Sequence, residues 1–215
     1  MIISRGRRYI FVHAPKTGGT SLMLALEARA MADDIMLGDT PKAKKRRRRV
    51  EGVRAAGRLW KHSTLRDIVG LVSDEEIASF FTFTLVRNPW DRMVSYYHWL
   101  KDQRFDHPAI GLAQSKSFSE FLNHPQIQAS LRAAPYTSYV TTTGGQERCD
   151  LFIRLEHLAQ DLPRLEAHLG VSLGDVPHEN ASERGEDYKE YYTRQDAALL
   201  ADICAADIAR FSYKF

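Results

Sequence analysis

Residues 7–30 read RRYIFVHAPKTGGTSLMLALEARA. Two apolar runs flank a polar loop. The first, RRYIFVHA, is β-rich and predicts a short buried strand ending near Ala14. The second, TSLMLALEARA, is apolar on most sides and predicts a largely buried helix. A strand, a loop with two adjacent glycines and a buried helix form the opening of a nucleotide-type α/β unit. The expected fold is therefore a P-loop-type parallel sheet flanked by helices, in a single domain over 1–215. Its ligand crevice is expected at the carboxyl ends of the strands.

The loop itself, HAPKTGGTS at 13–21, has the chemistry of an anion cradle. Gly18 and Gly19 permit unusual φ values and close approach. Successive backbone N–H groups and the positive end of the following helix attract an anion. Thr17, Thr20 and Ser21 add hydroxyl donors, and Lys16 adds a mobile charge. A polar turn would also account for the glycine pair taken alone. The ATP-binding pattern G-x-x-x-x-G-K-[ST] does not fit, because the lysine precedes the glycines.

Further along, FFTFTLVRNPWDRMVSYYHWLKDQ spans 80–103. FTFTLVR predicts a second strand, ending in Arg87 where a kinase would hold magnesium through an aspartate. Asn88 can cap a helix, Pro89 suits its first position and Asp91 stands where a capping box places its acid. About four helical turns should follow. A third strand is expected near 150–154, and a helix over 156–170, ended by Gly170 and interrupted or restarted around Pro163. STLRDIVGLV at 63–72 and SDEEIASF at 73–80 each predict a helix. FSEFLNHP at 118–125 predicts a short one. Apolar residues at 200, 203, 204, 208 and 211 predict a terminal helix.

The 215 residues are 44% hydrophobic and 27% charged, with a net charge of +3, which permits a real core and fits an anionic ligand. Cys149 and Cys204 show no metal-ligand spacing and no disulfide framework, which predicts a reducing, cytoplasmic setting. No apolar run reaches the length of a membrane span, and the opening lacks a signal-peptide pattern. Residues 38–58 hold seven lysines and arginines between Lys42 and Arg49. This basic excursion reads as a mobile solvated loop, as a guide for a polyanionic acceptor, or as a nucleic-acid contact.

FVHAPKTGGTS together with FTLVRNPWDRMVSYY resembles the paired motifs of PAPS-dependent sulfotransferases (PAPS is 3′-phosphoadenosine 5′-phosphosulfate), in the carbohydrate-type branch with bacterial members. WKHSTLRDI, DLFIRLEHL, VPHENAS and ADICAADIARFSYKF resemble later family blocks. The resemblance implies transfer of a sulfuryl group from PAPS to an acceptor hydroxyl on a carbohydrate, leaving PAP, with no metal. It implies that Lys16, Thr17, Gly18, Gly19, Thr20 and Ser21 line the phosphosulfate, and that Arg87 and Ser95 hold the 3′-phosphate. Arg87 ends a strand and Ser95 lies on the next helix, so a fold-back at Asn88-Pro89 would turn both to one crevice. Tyr136 stands where many relatives carry a glutamine.

His62 falls where relatives carry a catalytic histidine, and a near-neutral pKa suits a general base. Lys16 would stabilise the leaving oxygens. His13 is the alternative base, although its place beside the loop also fits a structural role. His178 could touch the nucleotide or order a loop. Arg154, Glu156, Trp90, Tyr96 and Tyr97 read as structural. Two other functions remain at this point: a nucleotide kinase with an atypical phosphate loop, and a basic nucleic-acid-binding module.

Overall fold

The computed structural model describes residues 1–176 and 187–215. In chain order its elements are β1 (Ile2–Ser4), β2 (Tyr9–Val12), α1 (Gly19–Ala28), β3 (Ile35–Met36), α2 (Pro41–Arg46), α3 (Asp74–Ser79) and β4 (Phe81–Val86). There follow α4 (Pro89–Lys101), α5 (Pro108–Ser115), α6 (Phe118–Leu122), α7 (Pro125–Ala133) and α8 (Tyr136–Tyr139). The chain closes with β5 (Leu151–Arg154), α9 (Leu158–Leu169), α10 (Arg194–Ile203) and α11 (Ala205–Phe211). By internal contacts the chain forms two compact units. One holds residues 1–86 and 136–176; the other holds 87–135 and 187–215.

The first unit is α/β. Its sheet has the order β3-β1-β2-β4-β5. β2, β4 and β5 are parallel, with Val12 opposite Thr84 and Val86 opposite Arg154. These are the three strands expected from the sequence. β1 runs antiparallel to both of its neighbours, so the sheet is mixed rather than wholly parallel. β1 and β3 have three and two residues, too few for a periodic pattern to announce them. Two apolar layers sandwich the sheet. Phe11 and Phe83, with rings 5.3 Å apart, pack with Leu22, Leu26 and Leu165 on one face. Ile10, Val12, Leu65 and Ile68 pack on the other.

Three local expectations fail in this unit. STLRDIVGLV is a series of turns, not a helix. Asp67 accepts from the Thr64 N–H and hydroxyl, and the Ser63 hydroxyl donates to the Arg58 and Trp60 carbonyls. Such local bonds compete with the helical ladder. Gly70 then has φ +96, and a Cβ there would lie 2.5 Å from the Arg54 carbonyl oxygen. Pro163 lies inside an unbroken α9. It forfeits one backbone hydrogen bond, while Leu158, Leu162, Leu165 and Leu169 keep the helix on the core. Gly170, at φ +66, ends α9 as expected.

The basic run also departs from a loop. Pro41–Arg46 is helical and Arg47–Val50 continues as a 3-10 turn. Ala43 is buried, the Lys42 ammonium bonds the Glu27 carbonyl, and the Arg46 and Arg49 guanidinium groups both donate to the Asp34 carbonyl. Three cations of the run are thus spent on holding the backbone together.

The second unit is helical. α4 packs with α5, α6 and α10 around Trp90, Val94, Tyr97, Phe121 and Leu200. Trp90 Nε1 donates to the Ala197 carbonyl at 3.0 Å and the Tyr97 hydroxyl to the Lys116 carbonyl at 2.8 Å. This is the structural role expected for both rings. The terminal periodicity is real but divided, with α10 and α11 meeting at Cys204. Among the described residues no helix is long and apolar enough to cross a membrane.

Candidate active site

The loop after β2 is built by backbone geometry. Lys16 and Gly18 adopt left-handed conformations, with φ +64 and +78. For lysine this is a sparsely populated region that costs about 1 kcal/mol or more. The Thr17 hydroxyl, fully buried, donates to the Ala14 carbonyl at 2.9 Å and closes the turn. Gly18 is the N-cap of α1 and offers no side chain to it; the first turn carries no acid. Of the amides that open α1, the Ser21 N–H donates to the Gly18 carbonyl at 3.1 Å, while the first amides of a helix have no partner within it. Here they are joined by Lys16, Thr20 and Ser21, a donor set that fits a phosphate or phosphosulfate.

Both glycines are required by neighbours as well. A Cβ on Gly18 would lie 2.7 Å from Leu155 Cδ1, and one on Gly19 would lie 2.2 Å from His13 Cδ2. The His13 ring therefore rests on the start of α1. It is 4% exposed, stacks on Phe11 at 5.8 Å, and its Nδ1 has no hydrogen-bond partner. Burial holds its pKa well below the ordinary value, with the Met1 amine, His62 and Lys61 adding to the effect. Its surroundings are those of a packed, neutral ring.

His62 reaches the same place from the turns after β3. Its Nδ1 lies 2.7 Å from the His13 carbonyl oxygen. A carbonyl can only accept, so Nδ1 carries the proton, and in the neutral ring Nε2 is the acceptor nitrogen. The His62 ring meets the His13 ring edge to face at 4.8 Å and the Trp60 ring at 5.0 Å. Thus the structure brings Lys16–Ser21, His13 and His62 together at the carboxyl end of β2.

In the second unit Arg87 and Asp91 form an ion pair at 2.7 Å, spaced i,i+4. Arg87 Nε also donates to Asp91 at 2.8 Å. Asn88 caps α4 through the Trp90 N–H, with Pro89 in the first turn, as expected. Ser95 is four residues beyond Asp91, so it lies on the same helix face, and it is buried. Asp91 was legible only as a capping acid; its hold on Arg87 was not. Arg154 pairs with Asp161 at 2.9 Å and is a brace, as expected. Tyr136 is fully buried. His178 lies outside the described residues.

A model of the sulfotransferase family matches residues 1–214. The chain belongs to the sulfotransferase family. No curated protein matches it. Similar solved structures include mouse sulfotransferase SULT7A1 complexed with PAP, at 14% identity over 93% of this chain and 82% of that one, with a TM-score of 0.47. Another is a sulfotransferase from Alicyclobacillus acidocaldarius, at 18% identity over 97% and 96%, with a TM-score of 0.44. This sulfotransferase has in its first unit an uncapped helix end, a lysine and an oriented histidine in one place.

Proposed function

We propose that this sulfotransferase takes its sulfuryl group from PAPS and delivers it to an acceptor hydroxyl, with carbohydrates the acceptor class that the motif resemblance favours. The family model runs across both units. The observation that carries the proposal is the His62 Nδ1 bond to the His13 carbonyl, made beside the uncapped Gly18 end of α1.

When bound, PAPS supplies the sulfuryl group and a phosphate leaving group. Lys16, Thr17, Gly18, Gly19, Thr20 and Ser21 are assigned to its phosphosulfate. Arg87 and Ser95 are assigned to its 3′-phosphate, with Asp91 fixing the guanidinium. His62 Nε2 takes the proton of the acceptor hydroxyl as that oxygen bonds to sulfur. The sulfur–oxygen bond to phosphate breaks, and its electron pair leaves on the phosphate oxygen. Lys16 and the α1 amides meet the charge that develops there, the electrostatic role usual for such groups. The proton ends on His62, whose Nδ1–H stays on the His13 carbonyl.

The test is His62→Ala assayed with PAPS beside a PAP titration. Loss of a general base lowers turnover by about 100-fold or more. PAP affinity should stay within about threefold of wild type. Equal loss of turnover and PAP affinity would remove His62 from the base role.

A further inference from the structure

The first unit contains a second concave feature, formed by the end of β3, the 3-10 turn at Arg47–Val50 and residues 58–61. It is a cavity of about 380 Å³. Arg47, Arg58 and Lys61 line it against a single carboxylate, Asp39. Lys61 pairs with Asp39 at 3.0 Å and holds its pKa down, and Lys44 and Arg47 act in the same direction. The cavity therefore retains a cationic excess after its own ion pair is made.

Its remaining walls are not those of a polyanion track. Leu37, Val50 and Leu59 supply apolar surface, and Trp60 is 39% exposed, with the Arg58 guanidinium 5.0 Å from its ring. Of the run's cations, Arg47 lines the cavity, while Lys42, Arg46 and Arg49 are tied to backbone carbonyls. A volume near 380 Å³ falls at the small end of small-molecule sites. It suits one ring and an acidic substituent. Trp60 also touches the His62 ring, so a body lying along Trp60 approaches the proposed base.

We propose that this cavity binds a compact organic anion, a ring carrying one acidic group, and serves as the acceptor subsite. Arg47, Arg58 and Lys61 take the acid, and Trp60 and the aliphatic wall take the ring. As an acceptor subsite the cavity rests on the sulfotransferase reading above; as an anion site it stands on its own lining. The acid can belong to a free small molecule or to the end of a longer acidic chain, and the same cations would read either.

The experiment compares 4-nitrophenyl β-D-glucuronide with its uncharged twin, 4-nitrophenyl β-D-glucoside, by calorimetry on the full chain. The cavity predicts about tenfold tighter binding of the glucuronide, a difference of the size one paired charge gives. Arg47→Gln with Arg58→Gln, both exposed positions, should remove that preference and leave PAP affinity unchanged. Trp60→Ala should weaken both ligands alike. Equal binding of the two ligands by wild type, or a preference that survives the double variant, would overturn the proposal. A hexauronate that binds through Arg47 and Arg58 no more tightly than the glucuronide would assign the site to the end of a chain. Binding of the hexauronate without the glucuronide would overturn a compact site. Charge-selective binding lost in the double variant, with PAP failing to bind wild type, would keep the cavity and defeat the donor assignment.

Discussion

At the scale of single residues, His13 shows how packing separates two histidines of similar composition and position. Its ring is buried against Phe11 and the first residue of α1, and its neutral state is fixed by that burial. The unfolded chain takes up this proton near pH 6.5, whereas the folded chain refuses it until a lower pH. The contribution of His13 is therefore full above about pH 7 and falls as pH drops through 6.5, by up to about 1.4 kcal/mol per pH unit. The Met1 amine, pushed down to about 4 by burial, adds to the same slope. Urea midpoints should fall between pH 7.5 and 5.5, and the His13 ring should show no titration by NMR over that range. A flat stability profile with a titrating ring would contradict the burial. The sequence offered both histidines as bases. What it did not carry was the 2.7 Å contact in which the backbone of one orients the ring of the other.

At the scale of elements, caps were more legible than interiors. Asn88, Pro89 and Gly170 all stand where local chemistry placed them, and the structure adds a capping box of Ser73 with Glu76 at the start of α3. Asn88 does more than cap, since its Nδ2 donates to the Lys214 carbonyl at 2.9 Å and the Tyr188 hydroxyl at 3.3 Å. Asn88→Ala should lower stability by about 1–2 kcal/mol, one cap plus tertiary bonds. A urea midpoint unchanged from wild type would contradict that role. Asp161 accepts from the Arg154 N–H and guanidinium, which holds its pKa below the usual carboxylate value. The folded carboxylate resists protonation, so its contribution is present above about pH 3.8 and is lost as pH falls through the lower folded value. In acid titrations, Asp161→Asn should be less stable than wild type at pH 6 and converge with it once pH has fallen through the lowered value of the folded carboxylate. A gap that persists at low pH would show that the pair stabilises through packing alone. Residues 63–72 misled because their apolar spacing fits a helix, while Thr64–Asp67 bonds and the backbone contact at Gly70 bend the chain into turns.

At the scale of the whole molecule, the three parallel strands and the glycine loop between β2 and α1 were legible because each is a continuous run of residues with one environment. The two short antiparallel partners were not, since pairing rather than pattern creates them. The division into two compact units was hidden for a similar reason: residues 87–135 and 187–215 share a core that no single stretch displays. The basic run gave its charge but not its use. Its helical fold and its bonds to Glu27 and Asp34 depend on segments that the run itself does not contain.

Recognition of the donor decides the proposed function. Calorimetric titration of wild type with PAP, beside ATP with magnesium, and of Arg87→Ala with PAP, tests it in one series. Tight PAP binding, weak ATP binding and a loss of about 10-fold or more in the variant are predicted, the size expected for one charge-assisted phosphate contact. A folded wild-type protein that takes no PAP would contradict the assignment of the HAPKTGGTS loop to phosphosulfate.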